Sequence, residues 1–364
     1  MKIRFFSDPH LGVNRRANTT SASRVRIKEQ ALQTVSDLVT TEEETVCVGD
    51  FFDTFSNNEE DIVAACAPFS QLKMCLAGNH DVVNDNSKKG SLDVLAEVFP
   101  SVVVPRVAVG EVARPASYSY GGGAVLIQAV PHHSSQQLFE EALQQAYDLA
   151  KASKGSPTKL LLLHCNYNLP EALSTDTALN LTEEDAEVLL EVFDYVLLGH
   201  EHTPSDHFGG RLLIVGNSFP TSFSDISNKR YLTFDPFNQQ MESHPIWRAS
   251  EGYIEIDATR LIWTNEPLLE TSDIRFVKIV GAIPMESVKR VAQAIQSKLW
   301  KAYPDQILAI KDATTVLRDS SRLSPEGKGS TLSLPELLDS ALKDTPMYEL
   351  WVELLADYQE SSND

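Results

Sequence analysis

The sequence predicts an α/β fold, because apolar strands alternate with helical segments along residues 1–250. Five of the predicted strands end at a polar residue, and four of these ends contain a Gly or an Asp turn. In open α/β sheets, ligand sites form beyond the carboxyl ends of the strands. The two patterns together make the polar residues at the strand ends the candidates for the functional site.

The individual elements follow from apolar runs and from helical spacing. A strand at residues 2–6 leads to a helix at 23–40, in which Ile27, Ala31, Val35 and Leu38 share one face. Strands at 45–48 and 73–77 follow, each with a helix behind it, at 61–72 and 92–99. Strands at 102–104, 107–109 and 124–130 indicate a second sheet. The pattern continues with helices at 138–152 and 183–193 and with strands at 159–163, 195–198, 211–215 and 230–234.

The pattern of strands and helices changes after residue 250, which predicts a further domain and a linker. Strands at 253–256, 274–280 and 306–311 with a helix at 285–303 predict a small α+β capping or DNA-binding domain at 251–317. The polar segment 318–332 reads as a linker.

A helical segment is predicted at 333–360, and its apolar face includes Leu350, Trp351, Leu354 and Leu355. Two interpretations stay open: the helices pack on their own catalytic domain, or they dock into a groove of another protein. The polar linker before them favours docking.

Composition limits the classes of function. The formal net charge of -20 argues against a broad basic surface that grips nucleic acid. A nucleic-acid substrate stays open, since bound divalent cations can reverse the local field. No stretch approaches the roughly 18 apolar residues of a membrane helix, and Cys47, Cys66, Cys75 and Cys165 form no CxxC pair. These features predict a soluble cytoplasmic protein with free thiols, bacterial or in a bacterial host.

Motifs of ligand-type residues stand at or just after the strand ends: Asp8-Pro9-His10, Gly49-Asp50, Gly78-Asn79-His80-Asp81, His164 and Gly199-His200-Glu201-His202. Taken singly, each is typical of a turn or a cap. Apart from His80 and Asp81, they supply the mixture of Asp, Asn and His that a two-metal hydrolytic centre needs. Five such ends in one chain therefore predict a metal site.

Spacing suggests how the ligands divide between two ions. Asp8 and His10 lie two residues apart on one side of a turn, so both can bind one ion. Asp50 ends the strand expected beside the first, which makes it the natural bridge between the ions. Asn79 and His164 would complete the second ion.

The remaining motif residues have separate expected roles. His200 and His202 share a face of an extended segment, so one can serve each ion. His80 would face the substrate as a general acid or as an electrostatic clamp. Asp53 and Asp81 are candidates to hold the ligand residues in place without binding an ion themselves.

The ordered motifs resemble those of the calcineurin-like metallophosphoesterases, over roughly residues 1–235. The resemblance implies a four-layer α/β/β/α sandwich of two facing sheets flanked by helices. It matches His80 to the histidine that contacts the scissile phosphate. It implies that the first ion is held by Asp8, His10, Asp50 and His202, and the second by Asp50, Asn79, His164 and His200.

The finer pattern is similar to the SbcD-type DNA-repair nucleases, and in length and layout to the phage recombination endonuclease subunit among them. The similarity lies in Asp8-Pro9-His10-Leu11-Gly12, in Gly49-Asp50-Phe51-Phe52-Asp53, and in Gly199-His200-Glu201-His202-Thr203 followed by a strand and Gly216-Asn217-Ser218. Pro9 and the Gly216-Asn217-Ser218 turn depart from the residues usual in that group. It implies exonuclease and endonuclease activity on DNA, by a water that two ions activate, and it favours manganese. Asp53 departs from relatives that carry a second histidine near the metals.

The same resemblance implies partners. They are the coiled-coil base of an SbcC-type ATPase, which would supply the basic DNA surface, and a second copy of the chain, joined through the helices near 61–72 and 92–99. Two other functions stay open: a free-standing metallophosphatase or phosphodiesterase acting on nucleotides or phosphoproteins, and an inactive scaffold. The capping domain and apolar tail argue against the first, and the intact ligand set argues against the second.

Overall fold

The computed structural model describes residues 2–83, 85–153, 158–169, 179–223, 225–258, 275–284 and 288–317. The chain divides into one compact unit of Met1–Thr315 and a second of Val316–Asp364. The predicted linker, the predicted helices at 333–360 and the docking residues Leu350, Trp351, Leu354 and Leu355 lie outside the described residues. The predicted domain boundary at residue 250 stays a prediction.

The helices alternate with strands through most of the chain. The helices are α1 (Ser21–Val39), α2 (Glu59–Phe69), α3 (Ser91–Val98), α4 (Gln136–Ala152), α5 (Glu183–Leu190), α6 (Ala249–Gly252) and α7 (Val288–Ala302). The strands are β1 (Ile3–Phe6), β2 (Glu44–Cys47), β3 (Leu72–Cys75), β4 (Ala116–Tyr120), β5 (Val125–Val130), β6 (Thr158–His164), β7 (Asn166–Tyr167), β8 (Asn180–Leu181), β9 (Tyr195–Gly199), β10 (Ser205–His207), β11 (Leu212–Ile214), β12 (Lys229–Asp235), β13 (Gln240–Trp247), β14 (Tyr253–Asp257), β15 (Phe276–Val280), β16 (Ala282–Pro284), β17 (Ala309–Asp312) and β18 (Thr315–Leu317). None of the described helices is long and apolar enough to cross a membrane. The predicted α/β class is confirmed.

Two mixed sheets make up most of the first unit. One has the strand order β13-β12-β1-β2-β3, in which β1, β2 and β3 run parallel. The other has the order β10-β11-β9-β6-β5-β4, in which β5, β6, β9 and β11 run parallel. Antiparallel strands form one edge of the first sheet, at β12 and β13, and both edges of the second, at β10 and β4.

Alternation along the strands separates three buried layers, because neighbouring residues of a strand point to opposite faces. Phe5 and Val46 of the first sheet and Leu162 of the second belong to the cluster between the sheets. Phe6 and Cys47 point the other way and pack with α1, α2 and α3. On the far face of the second sheet, Leu161 and Leu163 belong to one cluster with Phe139 of α4 and Leu189 of α5.

A small parallel sheet, β14-β15-β17, lies within the first unit. Phe276 and Leu308 from this part are fully buried in the same cluster as the outer face of the first sheet. The Arg26 guanidinium of α1 donates to the carbonyl of Ile307 over 2.9 Å. Burial and this bond tie the small sheet to α1.

The strands predicted at 102–104 and 107–109 are wrong. Val103 makes a single bridge to Met74, which belongs to the first sheet rather than the second, and 107–109 is irregular. The strand beside β5 is β4 instead, whose Ala-Ser-Tyr-Ser-Tyr sequence lacks an apolar run. The edge strand β13 was also not predicted, since its largely polar sequence includes Pro245.

Candidate metal centre

The predicted ligand residues stand where parallel strands of the two sheets end. Asp8 and His10 follow β1, Asp50 follows β2, and Asn79 follows β3. His164 is the last residue of β6, and β9 leads directly into the segment with His200 and His202. The ends of the two sheets meet here, where Ser218 Oγ, after β11, donates to the Ser7 carbonyl over 2.7 Å. Residues scattered over the chain are thereby gathered at one edge.

Asp8, His10 and His202 form the first group of ligand atoms, which all lie within 4.8 Å of one another. The Nε2 atoms of His10 and His202 are 3.0 Å apart. Two nitrogens bound about 2.1 Å from one ion at a right angle lie about 3 Å apart. The spacing of these rings is compatible with two ligands on one metal ion.

Asp50, His164 and His200 form the second group, also within 4.8 Å. Asn79 Oδ1 lies 2.9 Å from His200 Nδ1 and 3.2 Å from His164 Nε2. The separation between Asp50 Oδ2 and His164 Nε2 is 3.3 Å. Four side chains thus offer ligand atoms around one point.

Asp50 lies between the groups. Its Oδ2 belongs with His164 in the second group, yet it is also 4.0 Å from His10 Nε2 of the first. Its Oδ1 accepts the backbone N–H of His80 over 2.9 Å, which fixes the carboxylate plane. This position suits the bridging role predicted for it.

The donor set fits divalent metal ions. Carboxylate, amide and imidazole ligands suit manganese, iron or zinc better than calcium. His164 Nδ1 donates to the Val48 carbonyl over 2.9 Å, which leaves Nε2 to face the second group. Burial lowers the pKa of His10 to about 3 and that of His200 to about 4, so both rings are neutral and able to bind a metal.

The backbone at the site is strained. Asp8, His10, Asp50 and His200 have φ values of 49°, 46°, 46° and 89°. A residue with a side chain held in this region typically costs about 1–3 kcal/mol. Four such residues among the predicted ligands indicate that the fold holds them in place for a purpose other than stability.

The glycines of the motifs have a steric reason. A Cβ on Gly78 would collide with Asp50 Oδ1 and would lie 2.7 Å from His164 Nε2. A Cβ on Gly49 would collide with the His164 ring, and one on Gly199 with the Val48 carbonyl. The motifs therefore need glycine because their backbone passes directly under the ligands.

His80 lies beside the ligand groups on the solvent side, with its side chain 36% exposed. Its Nδ1 donates to the Asp53 carbonyl over 2.6 Å, which leaves Nε2 free to act, 4.0 Å from Asp50 Oδ2. Asp53 Oδ1 binds Arg15 over 2.9 Å and lies 3.6 Å from His10 Nδ1. The Asp53 carbonyl thus orients His80, the Asp53 carboxylate lies near His10 without a hydrogen bond to it, and Arg15 adds a cation at the mouth of the site.

Asp81 has a supporting position behind the site. Its carboxylate accepts the backbone N–H groups of Phe51, Phe52 and Gly78, each over 3.1 Å. Burial, with the nearby charge of Asp50, raises the pKa of Asp81 to about 7. The bonds tie the turn after β2 to the turn after β3.

His132 was missed by the sequence analysis. It follows β5, is 5% exposed, and its backbone N–H donates to the Ala77 carbonyl over 3.1 Å. Burial, with the nearby His164, lowers its pKa to about 3. The strand-end rule could have found it, but Pro131 separates it from the apolar run.

Loading the site should release protons. His164 Nδ1 donates to a carbonyl, and its Nε2 faces two acceptors, Asp50 Oδ2 and Asn79 Oδ1. Burial would lower the pKa of His164, but the carboxylates of Asp50 and Asp8 outweigh it and raise the pKa to about 10. At pH 7 we therefore expect Mn²⁺ to displace at least one proton, so that affinity rises with pH.

Calorimetric titration of metal-free protein with Mn²⁺ in two buffers of different ionisation enthalpy measures the proton number. A His164→Asn variant is the control, and it should release fewer protons. Equal heats in both buffers for the unaltered chain would contradict the expectation.

Fold and site together define a metallohydrolase. A model of the calcineurin-like phosphoesterase family matches residues 1–204, and the chain belongs to that family. It is thus a phosphoesterase with His and Asp clusters able to hold metal ions.

Comparisons with individual proteins are less informative about this chain than the family model. No curated protein matches the chain. It is similar to a predicted phosphoesterase from Streptococcus pneumoniae TIGR4, with 12% identity over 67% of this chain and 97% of that one and a TM-score of 0.25. It is also similar to a protein of unknown function from Aquifex aeolicus, with 15% identity, 51% and 92% coverage and a TM-score of 0.26. The family assignment rests on the family model.

Proposed function

We propose that the chain is a metal-dependent DNA nuclease that hydrolyses phosphodiester bonds as an exonuclease and endonuclease in repair or recombination. The observation that carries the hydrolytic part is the meeting of two ligand groups at Asp50, with His80 beside them on the open side. The SbcD-type motifs support DNA as the substrate.

The chain's own residues have distinct tasks in this reaction. Two divalent ions, proposed to be Mn²⁺, supply Lewis acidity and an activated water when bound. His80 is oriented through Nδ1 by the Asp53 carbonyl, so its Nε2 can stabilise charge on a phosphoryl oxygen or give a proton to the leaving oxygen. Asp53 and Asp81 hold the turns that carry His80 and Asp50.

An open site suits a diester within a long polymer. The side chains of His80 and His202 are 36% and 30% exposed, so solvent reaches the first ligand group and the histidine beside it. Arg15, 41% exposed and held by Asp53, offers a cation to a phosphate at this opening. A local cation matters because the chain as a whole carries a net charge of -20.

The partner of this activity is an SbcC-type coiled-coil ATPase, bound by residues 333–360. Two copies of the chain associate through α2 and α3, on which Val63, Val94 and Val98 are 71%, 40% and 58% exposed. The complex works in the cytoplasm, in keeping with the free thiols of the four cysteines.

Digestion of linear DNA in Mn²⁺, compared with hydrolysis of an aryl phosphodiester, tests the substrate. We expect both to be cut, DNA faster when the ATPase is added, and neither after chelation of the metal. A chain without residues 333–360 should still hydrolyse the aryl ester but should no longer co-purify with the ATPase.

The other functions predict different results. Hydrolysis of the aryl ester alone, even with the ATPase present, would favour a free-standing phosphodiesterase and overturn the nuclease assignment. No hydrolysis of either substrate by metal-loaded protein would favour an inactive scaffold.

A further inference from the structure

A buried carboxylate outside the predicted motifs stands behind the metal centre. Asp225, in the loop between β11 and β12, is 4% exposed. Its Oδ2 accepts from Asn217 Nδ2 over 2.8 Å, and from the N–H and hydroxyl of Thr221 over 3.0 and 3.1 Å. Its Oδ1 accepts the N–H of Ser222 over 2.9 Å. Four bonds therefore fix the position of this carboxylate.

The fixed carboxylate faces a ligand of the first group. Asp225 Oδ2 lies 3.5 Å from Nδ1 of His202, while Nε2 of the same ring lies 3.0 Å from His10 Nε2. One edge of the ring thus faces an anion, and the opposite edge faces the other imidazole ligand. With its proton on Nδ1, the ring directs the lone pair of Nε2 to the ion.

Lys229, the first residue of β12, secures the backbone of the same ligand. It is 1% exposed, and its ammonium donates to the His202 carbonyl over 3.0 Å and to Ser227 Oγ over 2.9 Å. Burial lowers the pKa of Lys229 to about 8, and Asp225 opposes that shift. A buried lysine is costly, and the hydrogen bonds that this one makes are to the loop that carries His202 and to Ser227.

We propose that Asp225 is a positioning residue of the metal centre, which holds His202 with Nδ1–H towards its carboxylate and Nε2 towards the first ion, while Lys229 fixes the His202 carbonyl. A ligand held in this way loses little orientational freedom when the ion binds, and the carboxylate makes the imidazole a stronger donor. The inference rests on the metal centre of the proposed function, but not on DNA as its substrate.

Titration of the metal-free full chain with Mn²⁺ by calorimetry tests the role. We expect the Asp225→Asn variant to bind one of two ions about 10- to 100-fold more weakly, with the other affinity unchanged. Asp194→Asn is the matched control, because Asp194 also accepts a backbone N–H, that of Lys159, but at the opposite ends of β6 and β9. Its two affinities should equal those of the unaltered chain.

A measurement on the unaltered chain keeps the inference testable if Asp225→Asn does not fold. Nitrogen-15 NMR of histidine-labelled, Zn²⁺-loaded protein, with His202 assigned through a His202→Asn variant, should place the ring proton on Nδ1. A proton on Nε2 would overturn the proposal. So would a folded Asp225→Asn variant that binds both ions normally, since Asp225 would then only brace its loop. Neither result would bear on whether DNA is cut.

Discussion

Replacing His80 by alanine is expected to lower kcat for a phosphodiester by about 10²- to 10⁴-fold while both ions stay bound. The His80 ring is hydrogen-bonded through Nδ1 to the Asp53 carbonyl and packs edge-on against the His10 ring, and its Nε2 lies on the solvent side of Asp50. The variant therefore removes a group that acts on the substrate and leaves the two ligand groups intact.

A rival role for His80 makes this experiment decisive. His80, His10 and Asp53 also lie close enough to hold an ion. The Asp53 carboxylate, however, already binds Arg15 over 2.9 Å, and His10 Nε2 faces His202. Metal content of the purified variant separates the roles, since loss of an ion would make His80 a ligand. His244→Asn, on β13 and bonded to Thr233, is the control and should keep full activity.

Prediction of the site from sequence depended on strand ends. Asp8, Asp50 and His164 could be found because each ends or follows an apolar run, and parallel strands bring such ends together. The same reasoning could not find Asp225 or Lys229. Asp225 lies in a loop, and its contact with His202 depends on how that loop folds back.

The errors in predicting the fold also arise where sequence composition does not reveal spatial contacts. Residues 107–109 are apolar, but no neighbouring strand pairs with them in the described part of the chain, and composition alone does not reveal pairing. Conversely, β4 pairs with β5 over five residues although Ser117 and Ser119 interrupt its apolar character. Edge strands need only one apolar face, so their signal in the sequence is weak.

The Asp50→Asn variant is expected to lose most of its activity, because it alters a side chain that both ligand groups share. Asp50 Oδ2 lies 3.3 Å from His164 Nε2 and 4.0 Å from His10 Nε2, so one carboxylate serves both ligand groups. An amide of the same size would remove the negative charge between two cations and could turn an N–H donor towards one of them. The lost electrostatic stabilisation amounts to several kcal/mol, which corresponds to a fall in kcat of at least about 10³-fold.

Metal content and phosphodiester hydrolysis, measured on the same samples, would distinguish a shared ligand from a local one. If Asp50 bridges the groups, both affinities for Mn²⁺ weaken in Asp50→Asn. If it serves the second group alone, the ion held by Asp8, His10 and His202 remains. Asp235→Asn, at the last residue of β12, is the control for loss of a carboxylate without loss of a ligand. Because Asp50 is also held in a left-handed conformation, at φ 46°, Asp50→Gly should relieve strain while removing the ligand. A glycine variant that is more stable to heat yet inactive would show that this backbone strain is maintained for metal binding, whereas an active one would contradict the bridging role.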